Sequence, residues 1–330
     1  VAGDIIAVAK LKDTYTFDTL SRPDDAVVFE PVELPEPTTA FAVGAKTRGE
    51  EEKVFEAIKR VTDEDPSLRL RRAESTGEDV LSGLAQMHVE FALDRIHRRY
   101  GVEVEARVPK VPFMETITGF AKAQGRYKKQ SGGRGQFGDC HIEIAPQERG
   151  AGFEFENAIV GGSIPRQYIP AVEKGVLEAM QEGSIAGCPV VDVKVRLYEG
   201  SFHAVDSSEM AFKVAGSVAF KNAMEDAKPV LLEPFVTVEV LVPLELVGDV
   251  MGDLSGRRGR PMGMEQRGER QVIQAEVPQV EMLTYARDLR SITGGRANFH
   301  VESGHYEEVP PNMVEKILAA NEREEEKAVS

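Results

Sequence analysis

The 330 residues are enough for two or three domains, and a hydrophobic content of 42% with 29% charged residues is typical of a chain with packed cores. The net charge of −15 excludes a protein that binds nucleic acid over its whole surface, so any RNA contact must use local basic patches. Two cysteines without C-x-x-C spacing, and no apolar run of about eighteen residues or signal peptide, predict free thiols in a cytoplasmic protein without a membrane segment.

The first 37 residues are too few and too irregular to form a domain of their own. Residues 1–22 alternate loosely between apolar and polar side chains and are interpreted as the end of a β-rich domain. Four prolines between positions 23 and 37 indicate an extended linker. Since the sequence opens on Val1, we expect it to be part of a longer protein.

Residues 38–110 have the element order βαββαβ. The predicted strands cover 39–45, 68–72, 79–82 and 102–108, and the predicted helices cover 50–63 and 87–100. Gly101 stands directly after the second helix and is a candidate C-cap. The order predicts a ferredoxin-like sandwich.

The same order recurs in residues 229–310. Strands are predicted at 235–242, 259–266, 271–277 and 297–302, and helices at 244–254 and 280–292; a charged helix or tail follows at 311–330. Between the two repeats, residues 111–228 form a third block. Its predicted elements are strands 116–123, 139–145 and 190–197 and helices 170–182 and 207–227. The fold class is therefore a multidomain α+β protein, in which two βαββαβ sandwiches flank a central α+β domain.

A basic, glycine-rich stretch at 126–138 interrupts the central block. It carries four cations, four glycines and no acid, a composition that suits looped or single-stranded RNA. The candidate contact residues are Lys128, Lys129, Gln130, Ser131, Gly132, Gly133, Arg134, Gly135 and Gln136. A solvated hairpin tip is the alternative. The G-x-G-x-x-G pattern within the stretch does not indicate a dinucleotide site, because a strand pattern follows it where a helix is required.

A second candidate loop joins the strand and the helix predicted at 190–197 and 207–227. Asp206 and Glu209 have capping-box spacing, and His203 stands just before them, where a helix N-terminus attracts anions. The alternatives are a histidine satisfied by the backbone, and an acid/base pair of His203 with Asp206. If the strands bearing the two loops are neighbours, both loops share one end of the central domain.

Arginines and glycines recur in the last block, where guanidinium groups suit phosphate oxygens. The candidate residues are Arg257, Arg258, Arg260, Arg290 and Arg296, with a solvated surface as the alternative. The six histidines show no ligand-like pairs, so we expect no metal site, and no residue is assigned a catalytic role.

Five stretches together resemble translation elongation factor G. They are 130–138, 203–213, 227–234, 252–259 and 289–297. The resemblance extends from about residue 1 to 310 and implies the end of a domain II barrel at 1–22, a linker at 23–37, domain III at 38–110, domain IV at 111–228 and domain V at 229–310. Domain IV of that family is ribosomal protein S5 domain 2-like.

The resemblance also implies partners. In that family the two loops form the tip of domain IV, which enters the decoding centre and contacts tRNA and mRNA, while domain V approaches large-subunit ribosomal RNA. The full-length protein is expected to be a monomeric GTPase. These residues contain no G-x-x-x-x-G-K-[ST] sequence, so we expect GTP and Mg²⁺ to be bound by a further domain and no cofactor in this chain.

One stretch departs from the family pattern. Ala85 and Gln86 stand where a glycine and an acid are usual, which favours a paralogue specialised for ribosome recycling or ribosome protection. The Ser-Gly-Gly-Arg-Gly-Gln loop at 131–136 resembles the translocase type instead. Both roles stay open at this point.

Overall fold

The computed structural model describes residues 3–73, 75–130 and 135–319. These residues form two compact units, one of residues 3–111 and 236–303 and the other of residues 112–235 and 304–319. Helices and mostly antiparallel sheets occur in both, which confirms the α+β class. Among residues 3–38 the structure contains no strand apart from one isolated bridge between Arg22 and Asp25. Their origin in a β-rich domain stays a prediction.

The first βαββαβ block is present as predicted. Its elements are β1 (Thr39–Ala45), α1 (Glu51–Glu64), β2 (Arg69–Arg72), β3 (Asp79–Gly83), α2 (Gln86–Tyr100) and β4 (Val104–Arg107). The strand order β2-β3-β1-β4 places the first and last strands side by side, as in a ferredoxin-like sandwich. The apolar positions of α1, Val54, Ala57, Ile58 and Val61, are buried in its core.

The second block repeats this topology in the order β11-β12-β10-β13. Its elements are β10 (Pro229–Pro243), α5 (Val247–Gly256), β11 (Arg260–Arg267), β12 (Arg270–Pro278), α6 (Gln279–Met282), α7 (Tyr285–Thr293) and β13 (Asn298–Glu308). The prediction of a single helix at 280–292 is wrong, because this segment forms two helices, α6 and α7. The tyrosine that opens α7, Tyr285, is fully buried and packs edge-on against Phe299.

The central block begins with β5 (Met114–Ile117), β6 (Ala121–Lys129), β7 (Gln136–Pro146) and β8 (Phe153–Asn157), and continues with α3 (Ile169–Glu182), β9 (Val193–Ser201) and α4 (Glu209–Asp226). Its sheet has the order β6-β7-β9-β8, in which β8 and β9 are parallel. The apolar sides of α3 and α4 pack against this sheet around Val172, Phe212 and Phe220.

The structure of this block differs from the predicted strands in two places. The strand predicted at 116–123 is in fact two strands, β5 and β6, which belong to different sheets. The strand β5 pairs with β10, whereas β6 pairs with β7. The chain changes sheet at Gly119, whose amide donates to Ala227 O at 2.8 Å. The prediction missed β8, although its sequence Phe-Glu-Phe-Glu alternates with strand period.

Candidate nucleic-acid interface

The loop between β9 and α4 is rigid at its base. The His203 amide donates to the Ser207 hydroxyl at 2.9 Å, and the Ser207 amide donates back to His203 O at 3.0 Å. Tyr168 adds a hydroxyl that donates to Ser207 O at 3.3 Å and stacks its ring on Phe212 of α4. The loop residues are therefore fixed to the helix that follows them.

The predicted capping box is wrong. The helix begins at Glu209, and its N-cap is Ser208, whose hydroxyl accepts from the Ala211 amide at 3.2 Å. Asp206 lies two residues before this cap and has a different task. Its backbone oxygen accepts from the Phe137 amide of β7 at 2.9 Å, so it joins two loops instead of capping a helix.

The other loop is the β6–β7 hairpin. Its described flanks are Lys128, Lys129 and Gln130, all exposed, and Gly135 and Gln136 on the returning side. The predicted contact residues Ser131, Gly132, Gly133 and Arg134 lie outside the described residues. The strand β7 begins at Gln136, within the glycine pattern, where a dinucleotide site would require a helix.

The flanks of the two loops meet at one end of the central sheet. Phe137 forms a parallel bridge with Ser207, next to its hydrogen bond to Asp206. A Cβ atom at Gly135 would lie 2.9 Å from the carboxyl carbon of Asp206, so the two loops approach each other closely here. His203 and the hairpin therefore share one surface.

The imidazole of His203 is oriented by its own loop. Its Nδ1 atom lies 3.2 Å from the Asp206 amide nitrogen and 3.2 Å from an Asp206 carboxylate oxygen. Unprotonated Nδ1 accepts from the amide, and protonated Nδ1 donates to the carboxylate. In both states Nε2 is left for a partner, since no described residue hydrogen-bonds to it.

An acid/base role for this pair has the required distance but lacks suitable surroundings. The His203 side chain is 57% exposed, so it cannot shield a reacting group from water. The two neighbouring hydroxyls that could act as nucleophiles are engaged, Ser207 with the His203 amide and Ser208 as the cap. The geometry suits contact with a large partner better than catalysis.

The arginines of the last block fall into two groups. Arg257 is a structural residue: its side chain is 13% exposed, pairs with Asp253 and Asp288 at 2.8 Å each, and lies 5.1 Å from the Tyr285 ring centre. This guanidinium lowers the pKa of Asp288. Because its donors are used inside the domain, we remove Arg257 from the predicted RNA surface.

The other predicted arginines lie nearer the solvent. Arg290 and Arg260 are exposed, Arg296 pairs with Glu245 at the surface, and Arg258 is half-buried beside Glu281. Surface ion pairs are weak and exchange readily with a phosphate. Their contact with large-subunit RNA stays a prediction.

Arg257→Ala is expected to destabilise the C-terminal block by about 2 kcal/mol, because it removes a part-buried donor from two carboxylates and from the Glu281 carbonyl. Arg290→Ala is the matched control, and we expect a change within about 0.5 kcal/mol because that side chain is exposed. Urea unfolding measures both. Equal effects would contradict the structural role of Arg257.

Family comparisons divide the chain into three consecutive parts. The model of elongation factor G, domain III, matches residues 34–108; that of domain IV matches residues 109–228; and that of the elongation factor G C-terminus matches residues 230–317. The chain belongs to the elongation factor G family. The two loops lie in its domain IV, and the arginines lie in its C-terminal domain.

A solved structure supports the same alignment. A crystal structure of a protein from Thermus thermophilus is 46% identical to this chain and superposes with a TM-score of 0.79. The match covers 89% of this chain and 44% of that one, so the present chain spans less than half the length of that protein.

The unusual residues of domain III are placed at the start of α2. Ala85 precedes the helix and provides no side-chain cap, and the side-chain Nε2 of Gln86 donates to the Glu90 carboxylate one turn later at 2.8 Å. His88 fixes this turn instead, with its Nε2 3.0 Å from a carboxylate oxygen of Asp65. The departure from the family pattern is therefore accommodated locally.

Other kinds of site find no support in the described part of the chain. No group of three histidine, cysteine or acidic side chains there could hold a metal ion. No helix of the described residues is long and apolar enough to cross a membrane. The prediction of free thiols is confirmed: burial raises the pKa of Cys140 to about 12 and that of Cys188 to about 11, which makes both poor nucleophiles.

Proposed function

We propose that this chain is the tip-bearing portion of a ribosomal translocation factor, which promotes movement of tRNA and mRNA during elongation. The observation that supports it is the meeting of two separate loops at one end of domain IV, where His203 lies beside a hairpin flanked by lysines. Exposed imidazole, amide and ammonium groups suit a surface that binds RNA.

The action of this tip is mechanical. Domain IV occupies the space behind a moving tRNA, and the contacts of the two loops with RNA in the decoding centre keep it there. Two loops that hydrogen-bond to each other present these contacts with little loss of conformational freedom on binding. We propose that the exposed arginines of the C-terminal domain meet large-subunit RNA, and that the protein acts as a cytoplasmic monomer.

The translocation cycle would draw its free energy from GTP hydrolysis, and we assign that reaction to no residue of this chain. The sequence contains no G-x-x-x-x-G-K-[ST] phosphate loop. We propose that GTP and Mg²⁺ are bound by another domain of the full-length protein. Domains III, IV and V would then convert the resulting conformational change into tRNA movement.

His203→Ala and Gln130→Ala, made in the full-length protein, test the tip. Each is expected to slow single-turnover translocation about tenfold, the effect of losing one good hydrogen bond to a charged partner. GTP hydrolysis stimulated by ribosomes should stay near normal, because it occurs elsewhere. His97→Ala, an exposed histidine on α2, is the control. Unchanged translocation in both tip variants would reject the assignment.

A paralogue specialised for ribosome disassembly or protection is the second candidate, and the residues Ala85 and Gln86 favour it. A disassembly factor would split ribosomes into subunits faster than it translocates tRNA. Single-turnover translocation and light-scattering measurements of subunit splitting, run on the same preparation, separate the two functions. Fast splitting without translocation would favour the paralogue.

A further inference from the structure

One strand of domain IV carries a row of polar, mostly basic side chains that runs from the tip along the sheet. Lys122, Gln124, Arg126 and Lys128 are all exposed, whereas the intervening Gly125 lies against α4. Because side chains alternate along a strand, these four lie on the face opposite the helices. We call them the β6 row. It occupies an edge of the sheet, since β6 is paired on one side by β7.

Aromatic rings lie beside the cations of this row. The Lys122 ammonium is 5.7 Å from the Phe120 ring centre and 5.4 Å from that of Tyr198, and the Arg126 guanidinium is 5.7 Å from that of Phe137. Cations interleaved with accessible rings are the pattern that proteins use to bind unpaired nucleotides.

A β-bulge places Tyr198 on this face. Ile142 of β7 stands opposite Leu197, but the preceding residue, His141, stands opposite Glu199, so Tyr198 is the additional residue. Its ring lies 6.1 Å from that of His141 and beside Lys122. Bulges of this kind commonly re-aim a side chain toward a ligand.

Protection of a free strand edge is the simpler explanation for the lysines, but it does not explain the rings. Edge protection needs charge alone, whereas an exposed ring such as Phe120, with 54% of its surface accessible, favours association. The ion pair of Lys122 with Glu143, 3.2 Å long and with the lysine 56% exposed, is weak enough to exchange for a phosphate. The row holds three cations and no acid on a chain of net charge −15.

We propose that the β6 row is a second RNA-binding surface, on which unpaired nucleotides stack on Tyr198 and Phe120 while Lys122 and Arg126 bind their phosphates. The row extends about 20 Å from the tip, the length of six residues of a strand. This proposal rests on the proposed function, because it continues the RNA contact of the tip along the sheet.

The test is binding of a fluorescently labelled oligouridylate of about 12 nucleotides to the chain, followed by anisotropy over a series of salt concentrations. Tyr198→Ala is expected to weaken binding about tenfold, through loss of one stacking contact, and Tyr198→Phe to leave it near wild type. Lys122→Gln should reduce the slope of log K against log salt by about 0.7, the value for one phosphate contact with a single strand.

Lys46→Gln is the matched control, since Lys46 is an exposed strand-end lysine paired with Glu103 at 2.8 Å in domain III. It should change neither affinity nor slope. Lys129→Gln reports on the tip in the same assay. If it weakens binding while the row variants behave as wild type, the row proposal is overturned and the tip stands. Absence of binding by the wild-type chain also overturns the row proposal, whereas the proposed function is judged by translocation.

Discussion

Glu115→Ala is expected to lower the free energy of unfolding of domain IV by about 4 kcal/mol. The Glu115 side chain is fully buried, and its two carboxylate oxygens accept from the amides of the loop after α3. The donors are Ser184, Ile185, Ala186 and Cys188, at 2.7, 2.9, 2.8 and 3.2 Å. Removal of the carboxylate leaves four amides without their acceptor, and each donor that stays unpaired away from water costs about 1–3 kcal/mol. Water that enters the site recovers part of this loss.

Glu115→Gln separates charge from size. The glutamine keeps one acceptor oxygen but turns an NH₂ group toward amide donors, so we expect a loss of about 2–3 kcal/mol. Exposed Glu154→Gln, on β8 of the same domain, is the control and should stay within about 0.5 kcal/mol. Urea unfolding and amide hydrogen exchange in the loop measure these effects. A Glu115→Ala protein as stable as wild type would contradict this role.

The same variants have a chemical readout at Cys188. Burial is the main reason that the pKa of this thiol is raised to about 11, and the nearby Glu115 carboxylate raises it further. Glu115→Gln removes the carboxylate charge, so the pKa of Cys188 should fall and its alkylation at pH 8 should become faster. Cys140, which is buried in another part of the domain, serves as the internal reference.

The regular elements could be predicted because local patterns determine them. The helix α1 has apolar residues at helical spacing, and α2 ends at Gly101, which has the left-handed conformation expected of a C-cap. The order of these elements was sufficient to predict both ferredoxin-like sheets. Where a strand changes partner, as at Gly119 between β5 and β6, the sequence shows continuous strand character, and only the tertiary pairing reveals the interruption.

The positions of the candidate residues could be predicted in part, but their local interactions could not. His203 and the hairpin lysines are at the expected end of domain IV, because β7 and β9 are neighbours. The role of Asp206 depends on a hydrogen bond from Phe137, almost seventy positions away, which no local pattern encodes. Arg257 lies in an arginine- and glycine-rich stretch that suggested RNA binding, yet its guanidinium donates to three acceptors of its own domain.

Gly175→Ala should destabilise domain IV by about 3 kcal/mol, although alanine is the better helix former. A Cβ atom at position 175 would lie 1.9 Å from the backbone oxygen of Lys213, so α3 and α4 can pack at their present distance only with glycine there. Gly216 of α4 has the reciprocal relation to α3, with a Cβ position 2.5 Å from Val172 O. Helices that must separate lose their packing, and this loss exceeds the gain of about 1 kcal/mol in helix propensity.

Gly252→Ala is the control because Gly252 also lies inside a helix, α5, and a Cβ atom there would meet nothing within 4 Å. We expect it to stabilise the C-terminal block by about 0.5–1 kcal/mol. Amide hydrogen exchange locates each effect, since exchange should accelerate in α3 and α4 for Gly175→Ala and slow in α5 for Gly252→Ala. Because α4 begins directly after the loop of His203, the proposed function predicts that displacement of this helix also slows translocation by the full-length protein. Unchanged exchange in α3 and α4 would show that the two helices do not depend on this close approach.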